Sequence, residues 1–453
     1  MKSSNRISAL LWADILVAFA LFVMQDYLTD VWNLSFTHAA GILNIWNGIS
    51  LVLQPFFLIL VDGVLGNFTM LVVSSTAYSL GIGLVSMSTP PVLGTCNQYE
   101  EQCIGHTQKV VFYSGMALIA VGVAGNNVSL KPFLQEQRDR EGPNLFVKIA
   151  GAVFVVAVAL TGAIALPYIK PWTLRFGIPA ICTVVATALF LTGLCFYRYD
   201  RNGAEGSQLR SLCRARMIPM LTTFVFCGVV SSIGNTYFVE QAKNLDRHLG
   251  KWKVPPQVLL LVQKGVSAAL GDAGAQTGTN VQSRIRIITT PGRGIVMAVS
   301  SAVLCCITAA RMELKRPGVV ERHGLLDDED GDVPMSIFWL IFQFVLLGCV
   351  DKLLEKSVAK FNEREFGEES EGRYADNLAK GVSGLGYMCG VVSVYVVGEV
   401  SGRGGHRSWF QDTLNTSRLD RYYWVLAALG TVNLFLYSVI TLCCTCFNRI
   451  CCS

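Results

Sequence analysis

Residues 7–31 read ISALLWADILVAFALFVMQDYLTDV, and the length of this run decides the fold class. A helix crosses the ~30 Å hydrocarbon core of a bilayer with about 20 mostly apolar residues. Runs of this kind recur from one end of the chain to the other, separated by short polar pieces. The 453 residues are 52% hydrophobic and only 15% charged, with a mean hydropathy of +0.45, whereas soluble domains carry about 25% charged residues. The chain therefore reads as an all-α, polytopic integral membrane protein. Its first run is long and lacks a small-residue cleavage site, so it is expected to act as a signal anchor.

Apolar length and helix breakers place spans near residues 8–31, 39–61, 68–88, 109–130, 145–167 and 174–197, then 215–239, 254–273, 292–311, 334–352, 376–399 and 422–446. The eighth is the weakest, diluted by Gln263, Lys264 and several glycines. These about twelve helices divide into an N-terminal bundle over 1–198, a short cytoplasmic connection over 199–216 and a C-terminal bundle over 217–453. With the N-terminus cytoplasmic, that side collects roughly 20 of the 37 Lys and Arg residues, a modest positive-inside bias.

The net charge of +5 comes from basic residues scattered between apolar runs, so no nucleic-acid-binding face is expected. The glycines form no phosphate loop and the five histidines form no metal-ligand cluster, which leaves no enzyme reading, no metal and no cofactor beyond a possible driving proton gradient. Cys96 and Cys103 flank a polar stretch in an outer loop and are either a disulfide or two free thiols. Cys443, Cys444, Cys446, Cys451 and Cys452 follow the last span beside Arg449, a juxtamembrane setting for S-acylation. Asn33-Leu34-Ser35 and Asn415-Thr416-Ser417 are glycosylation triplets in loops assigned to the outer side.

Several ordered motifs lie between the spans. They are Asp62-Gly63-Val64-Leu65-Gly66-Asn67-Phe68, Ala117 to Gly122 leading to Phe133 and Gln137, and Arg175-Phe176-Gly177-Ile178-Pro179-Ala180. Thr236-Tyr237-Phe238-Val239-Glu240-Gln241, Val254-Pro255-Pro256 and Phe338 to Gly348 follow, then Trp409 to Asn415 and Leu419-Asp420-Arg421-Tyr422-Tyr423-Trp424. In that order they resemble the signatures of the plant nitrate and peptide transporter family, part of the proton-dependent oligopeptide transporters within the major facilitator superfamily. The likeness covers almost the whole chain. It implies two six-helix bundles with a central site that opens alternately to either side, and a tight helix pairing at a cytoplasmic gate around Asp62 and Gly66.

Departures from the family pattern mark the candidate functional residues. The family's helix-one E-x-x-E-R/K motif, which serves proton coupling, has no counterpart, because no glutamate precedes Glu100. Asp14 and Asp26 lie in that helix instead. Asp14 is the candidate proton or cation site, with satisfaction by a neighbouring helix as the alternative. Asn127 stands where the family carries a lysine, and Lys131 follows one turn later on the same face, either as a substitute or as a gate and helix-end residue. Asp351 and Glu355 share a face of helix ten, as a gating salt bridge or as a solvated helix end. Lys264 and Lys380 are candidates for attracting an anionic substrate, and Asn235 is a further pathway candidate.

The sequence thus leads to a secondary transporter of a small solute, proton-coupled if Asp14 replaces the missing glutamates. The alternatives are an uncoupled facilitator or exporter, and a non-transporting membrane regulator on the same scaffold. The expected partners are a small-molecule substrate and the lipid bilayer, in the plasma membrane or the vacuolar membrane, with the oligomeric state left open.

Overall fold

The computed structural model describes residues 3–90, 92, 104–141, 145–194, 196–197, 218–276, 291–323, 333–365, 369–403, 407–411 and 414–451. Cys96, Cys103 and all of the 199–216 connection lie outside these residues. The chain divides into two compact units, Met1–Gly206 and Ser207–Ser453.

The first unit contains α1 (Ser3–Phe22), α2 (Met24–Asp30), α3 (Phe36–Leu60), α4 (Gly66–Ser88), α5 (His106–Glu141), α6 (Leu145–Ala165) and α7 (Trp172–Leu191). The second contains α8 (Ile218–Lys243), α9 (Val258–Gln276), α10 (Pro291–Arg322), α11 (Ile341–Glu365), α12 (Glu369–Gly402) and α13 (Leu419–Cys451). Among the described residues eight helical stretches are long and apolar enough to cross a membrane, and one of them, Phe36–Ser88, runs through two helices. The apolar part of α9 is shorter, Val258–Leu270, as the polar dilution at Gln263 and Lys264 predicts.

Each expected span overlaps a helix, but several ends differ: the sixth was expected to reach residue 197 and α7 ends at Leu191, and the eighth was expected from 254 and α9 begins at Val258. The tenth was expected from residue 334, but Val333–Ser336 is a strand, β4, paired in parallel with β1 at Leu245–Asp246. Pro334 disfavours the α region for the residue before it and biases Val333 to extended backbone. A 3-10 turn over Ile337–Leu340 leads into α11. A small antiparallel hairpin, β2 (His248–Leu249) with β3 (Trp252–Lys253), turns through Gly250 at φ +65°.

Lipid offers helices no apolar gain from hiding behind one another, so close backbone approach through small residues holds such bundles together. In the first unit α4 and α5 pair most intimately. A Cβ on Gly81 would stand 2.8 Å from the Gly115 carbonyl oxygen, and one on Gly122 would stand 2.6 Å from the Tyr78 Cβ. In the second unit Gly228 of α8 and Gly386 of α12 occupy each other's side-chain space: a Cβ on either would collide with backbone of the other helix. Gly66 has a different reason. It stands at φ +71° after a π turn over Val61–Leu65 and has open space around it, so the turn between α3 and α4 needs its backbone freedom rather than its smallness. The tight pairing expected around Asp62 and Gly66 is therefore a conformational requirement at Gly66.

Aromatic clusters close the first unit. Phe68, Phe133, Phe190 and Tyr197 pack at one end against Ile7, Leu10 and Leu71. Tyr27, Trp32, Phe112, Trp172 and Phe176 pack at the other. There the Arg175 guanidinium lies 3.9 Å over Trp172 and donates to the carbonyls of Ile169 and Pro167 at 2.9 Å.

The second unit holds a buried ion pair near the C-terminal end of α10. Glu313 and Arg316, both 2% exposed, meet at 2.6 Å. Gln241 donates to Glu313 at 2.9 Å, and Arg316 donates to Asn415 Oδ1 at 2.6 Å and to the Leu414 carbonyl at 2.5 Å. Two sequence motifs far apart in the chain, the one ending at Gln241 and the one ending at Asn415, thus meet on this pair.

Gly228→Val is expected to destabilise the protein by about 1–3 kcal/mol through overpacking, while Gly63→Ala, with open space around it, leaves thermal unfolding in detergent unchanged. Arg316→Ala strands the Glu313 charge and is expected to cost about 3–5 kcal/mol, read in the same melts.

Candidate functional site

Each unit holds, inside a membrane span, a half-buried carboxylate met by neutral donors, and in each a glycine contact lies beside such a donor. In the first unit Asp14 on α1 is half-buried and accepts from the hydroxyl of Tyr78 on α4. Tyr78 is itself buried, and its backbone is pressed against Gly122 of α5. The nearby Ser74 hydroxyl donates to Asn126 Oδ1 at 2.8 Å, so α4 and α5 are tied beside the carboxylate. Among the described residues no Lys or Arg pairs with Asp14. Asp26 lies on α2 near the end of the span.

In the second unit Asp351 on α11 is half-buried and accepts from Gln263 Nε2 of α9 at 2.8 Å and from Ser231 Oγ of α8 at 3.4 Å. Gln263 reaches it because α9 and α11 touch at Gly348, where a Cβ would stand 2.5 Å from the Gln263 carbonyl oxygen. Asn235 Nδ2 donates to the hydroxyl of Tyr387 on α12 at 2.8 Å. Tyr387 and the buried thiols Cys227 and Cys305 lie within electrostatic reach of the Asp351 carboxylate. Among the described residues no Lys or Arg pairs with Asp351 either.

The structure therefore brings together Asp351 and Asn235 of the sequence candidates and keeps others apart. Glu355 is exposed and pairs with Lys352, both carboxylate oxygens at 2.9 Å, so it forms no cluster with Asp351. Lys380 pairs with Asp376 at 2.8 Å on its own helix. Lys264 is exposed although its neighbour Gln263 is fully buried. Asn127 and Lys131 are both exposed, and the buried asparagine of that turn is Asn126.

Tyr78, Gln263, Ser231 and Tyr387 were not legible as site residues, and neither was the Glu313–Arg316 pair. A signal existed for Gln263, since a glutamine in the middle of an apolar run carries a cost that only a partner offsets. For Tyr78 and Tyr387 there was none, because a tyrosine in a span reads as packing. Among the described residues no group of His, Cys, Asp and Glu could hold a metal ion. Outside the spans, Arg418 donates to Asp420 at 3.0 Å in the first turn of α13, and this carboxylate holds the guanidinium pKa above its ordinary value.

Residues 68–217 match the family model described as PTR2, the POT family. Protein NRT1/PTR FAMILY 5.5 of Arabidopsis thaliana is 32% identical over 96% of this chain and 95% of its own length. An auto-inhibited POT family peptide transporter of known structure superposes with a TM-score of 0.69 at 16% identity, covering 96% of both chains. A POT family transporter solved in complex with 5-aminolevulinic acid gives a TM-score of 0.65 at 10% identity, over 96% of this chain and 94% of that one. The fold is that of the major facilitator superfamily, and the relatives are transporters, not enzymes. On this footing the chain, a multi-pass integral membrane protein, belongs to the NRT1/PTR family of POT transporters.

Proposed function

We propose that this protein moves a small solute such as nitrate, a small peptide or a related metabolite by alternating access, driven by protons that bind Asp14 and Asp351. The observation that carries this reading is the pair of carboxylates, one in each unit. Each is half-buried in a span and met by neutral donors: Tyr78 for Asp14, Gln263 and Ser231 for Asp351. An ionisable residue at membrane depth is costly and marks an ion or proton pathway when no structural ion pair accounts for it. A carboxylate held by neutral donors gains and loses a proton without breaking a salt bridge. Asp14 then takes over what the family assigns to its helix-one glutamates, and the protein works in the plasma membrane or the vacuolar membrane.

The missing helix-one glutamates and the neutral Asn127 favour a second reading, an uncoupled facilitator or exporter. The two differ in whether an imposed gradient concentrates solute. In proteoliposomes with nitrate or dialanine outside, an inward proton gradient is expected to drive accumulation above equilibrium. Accumulation of neither probe would leave the coupled reading without support. Asp14→Asn is expected to cut concentrative uptake about tenfold or more, since a charge-assisted hydrogen bond is worth about 1.5–3 kcal/mol, while gradient-free exchange of the same solute persists. Equal concentrative uptake by wild type and Asp14→Asn would shift coupling to Asp351 alone, a result to be read from Asp351→Asn in the same assay.

A further inference from the structure

The interior of the second unit carries more buried polar atoms than its helices satisfy. Gln343 on α11 is fully buried, and neither its Nε2 nor its Oε1 has a hydrogen-bond partner among the described residues. The same holds for Oε1 of Gln263, Oε1 of Gln241 and the hydroxyl of Tyr423, all buried. In a bilayer, orphaned polar atoms inside a helix bundle are expensive, and the remedy available to them is ordered water with several polar partners.

These atoms are not scattered. At one end stands the Glu313–Arg316 pair, with Gln241 donating to Glu313. Tyr423 lies within electrostatic reach of Glu313, of Tyr422 and of the Cys306 thiol. The hydroxyl of Tyr422 shares a 2.6 Å hydrogen bond with Ser393. Cys306 in turn lies within reach of Cys227 and Cys305, and both of these lie within electrostatic reach of Asp351. Cys305 donates to the Gln343 backbone carbonyl at 3.5 Å, which brings the backbone of Gln343 next to this thiol. Gln263 ends the series on Asp351 itself. Along α8 the ten residues from Gln241 to Ser231 rise about 15 Å, roughly half of the hydrocarbon core.

We propose that the second unit contains a hydrated, proton-conducting file running from the Glu313–Arg316 pair past Tyr423, Tyr422, Cys306 and Gln343 to Asp351, with water and its protons as the ligand. A proton entering at the Glu313 end is passed by successive hydrogen-bond exchange. Each oxygen that releases a proton toward Asp351 receives one from its neighbour on the entry side, so no group is oxidised and none keeps a net charge. Ser231 from α8 and Gln263 from α9 donate to Asp351, and Cys227 from α8, Cys305 from α10 and Tyr387 from α12 lie within its electrostatic reach. This file lies wholly within one unit and gives Asp351 a proton supply of its own. It rests on Asp351 being a proton acceptor, as put forward above.

Hydroxyl-radical footprinting of the full chain in phosphatidylcholine nanodiscs reads the water directly, because buried side chains are oxidised where water is bound beside them. Tyr422 and Tyr423 are expected to react about tenfold faster than Tyr197, which is comparably buried in the first unit's aromatic cluster. Gln343→Leu and the milder Tyr423→Phe should remove that excess at Tyr422 with no loss of thermal stability, since an orphaned polar group is replaced by an apolar one of similar shape. Parity of Tyr422 and Tyr423 with Tyr197 in the wild type means a dry core and overturns the file. Infrared difference spectra on changing pH, with D2O as the probe, read Asp351 separately. A carboxyl band removed by Asp351→Asn should exchange in D2O about tenfold more slowly in Gln343→Leu, and an unchanged exchange rate also overturns the file. If Asp351→Asn removes no such band, it is the proton role of Asp351 that fails, whatever the footprint shows.

Discussion

The bilayer supplies no water to its interior, and the two carboxylates of this protein depend on that constraint. Helices in lipid gain nothing from hiding apolar surface, so they approach through glycines, and a polar group they carry needs a partner in the protein or an ordered water. Gly122 and Gly348 show both demands met by one contact. The first lets α5 press on Tyr78, whose hydroxyl meets Asp14; the second lets α9 reach α11, so that Gln263 meets Asp351. Had either glycine been larger, the helix pair would have spread and the carboxylate would have lost its donor.

The charged groups of the second unit divide by the same logic. Glu313 and Arg316 pair with each other and with Gln241, Leu414 and Asn415, so both charges are satisfied and the segment after α12 is fastened to α10. Asp351, by contrast, meets only neutral donors among the described residues. Glu355 and Lys352, one turn further along α11, pair on an exposed face where such a contact contributes about 0–1 kcal/mol. Three carboxylates in one bundle thus differ in what surrounds them: a buried guanidinium, neutral donors and an exposed lysine.

The motifs gain a physical meaning from this geometry. The end of the α8 motif supplies Gln241 and the loop before α13 supplies Asn415, and both converge on the same ion pair. The glycine ending the Phe338 to Gly348 motif is the contact with Gln263. The glycine of the Asp62 to Phe68 turn is kept for its positive φ after the π turn rather than for closeness. Family signatures here record helix contacts, turns and hydrogen bonds of several kinds.

By itself the sequence determined that the chain lives in lipid, where its helices run and which family pattern it follows. Apolar run length and local motifs are written in consecutive residues and need no partner to be read. It also named Asp14, because a carboxylate within a span is anomalous on its own, and Asp351, for the helix face it shares with Glu355. Only the tertiary structure decided that Glu355 belongs to Lys352, that Asn126 rather than Asn127 is buried, and that Glu313 and Arg316 join distant motifs. It alone brought Tyr78 and Gln263 to the carboxylates. Those assignments depend on which face of one helix meets which face of another, and a contact between residues 64 or 88 positions apart, as for Asp14 with Tyr78 and Gln263 with Asp351, leaves no periodic trace in either segment.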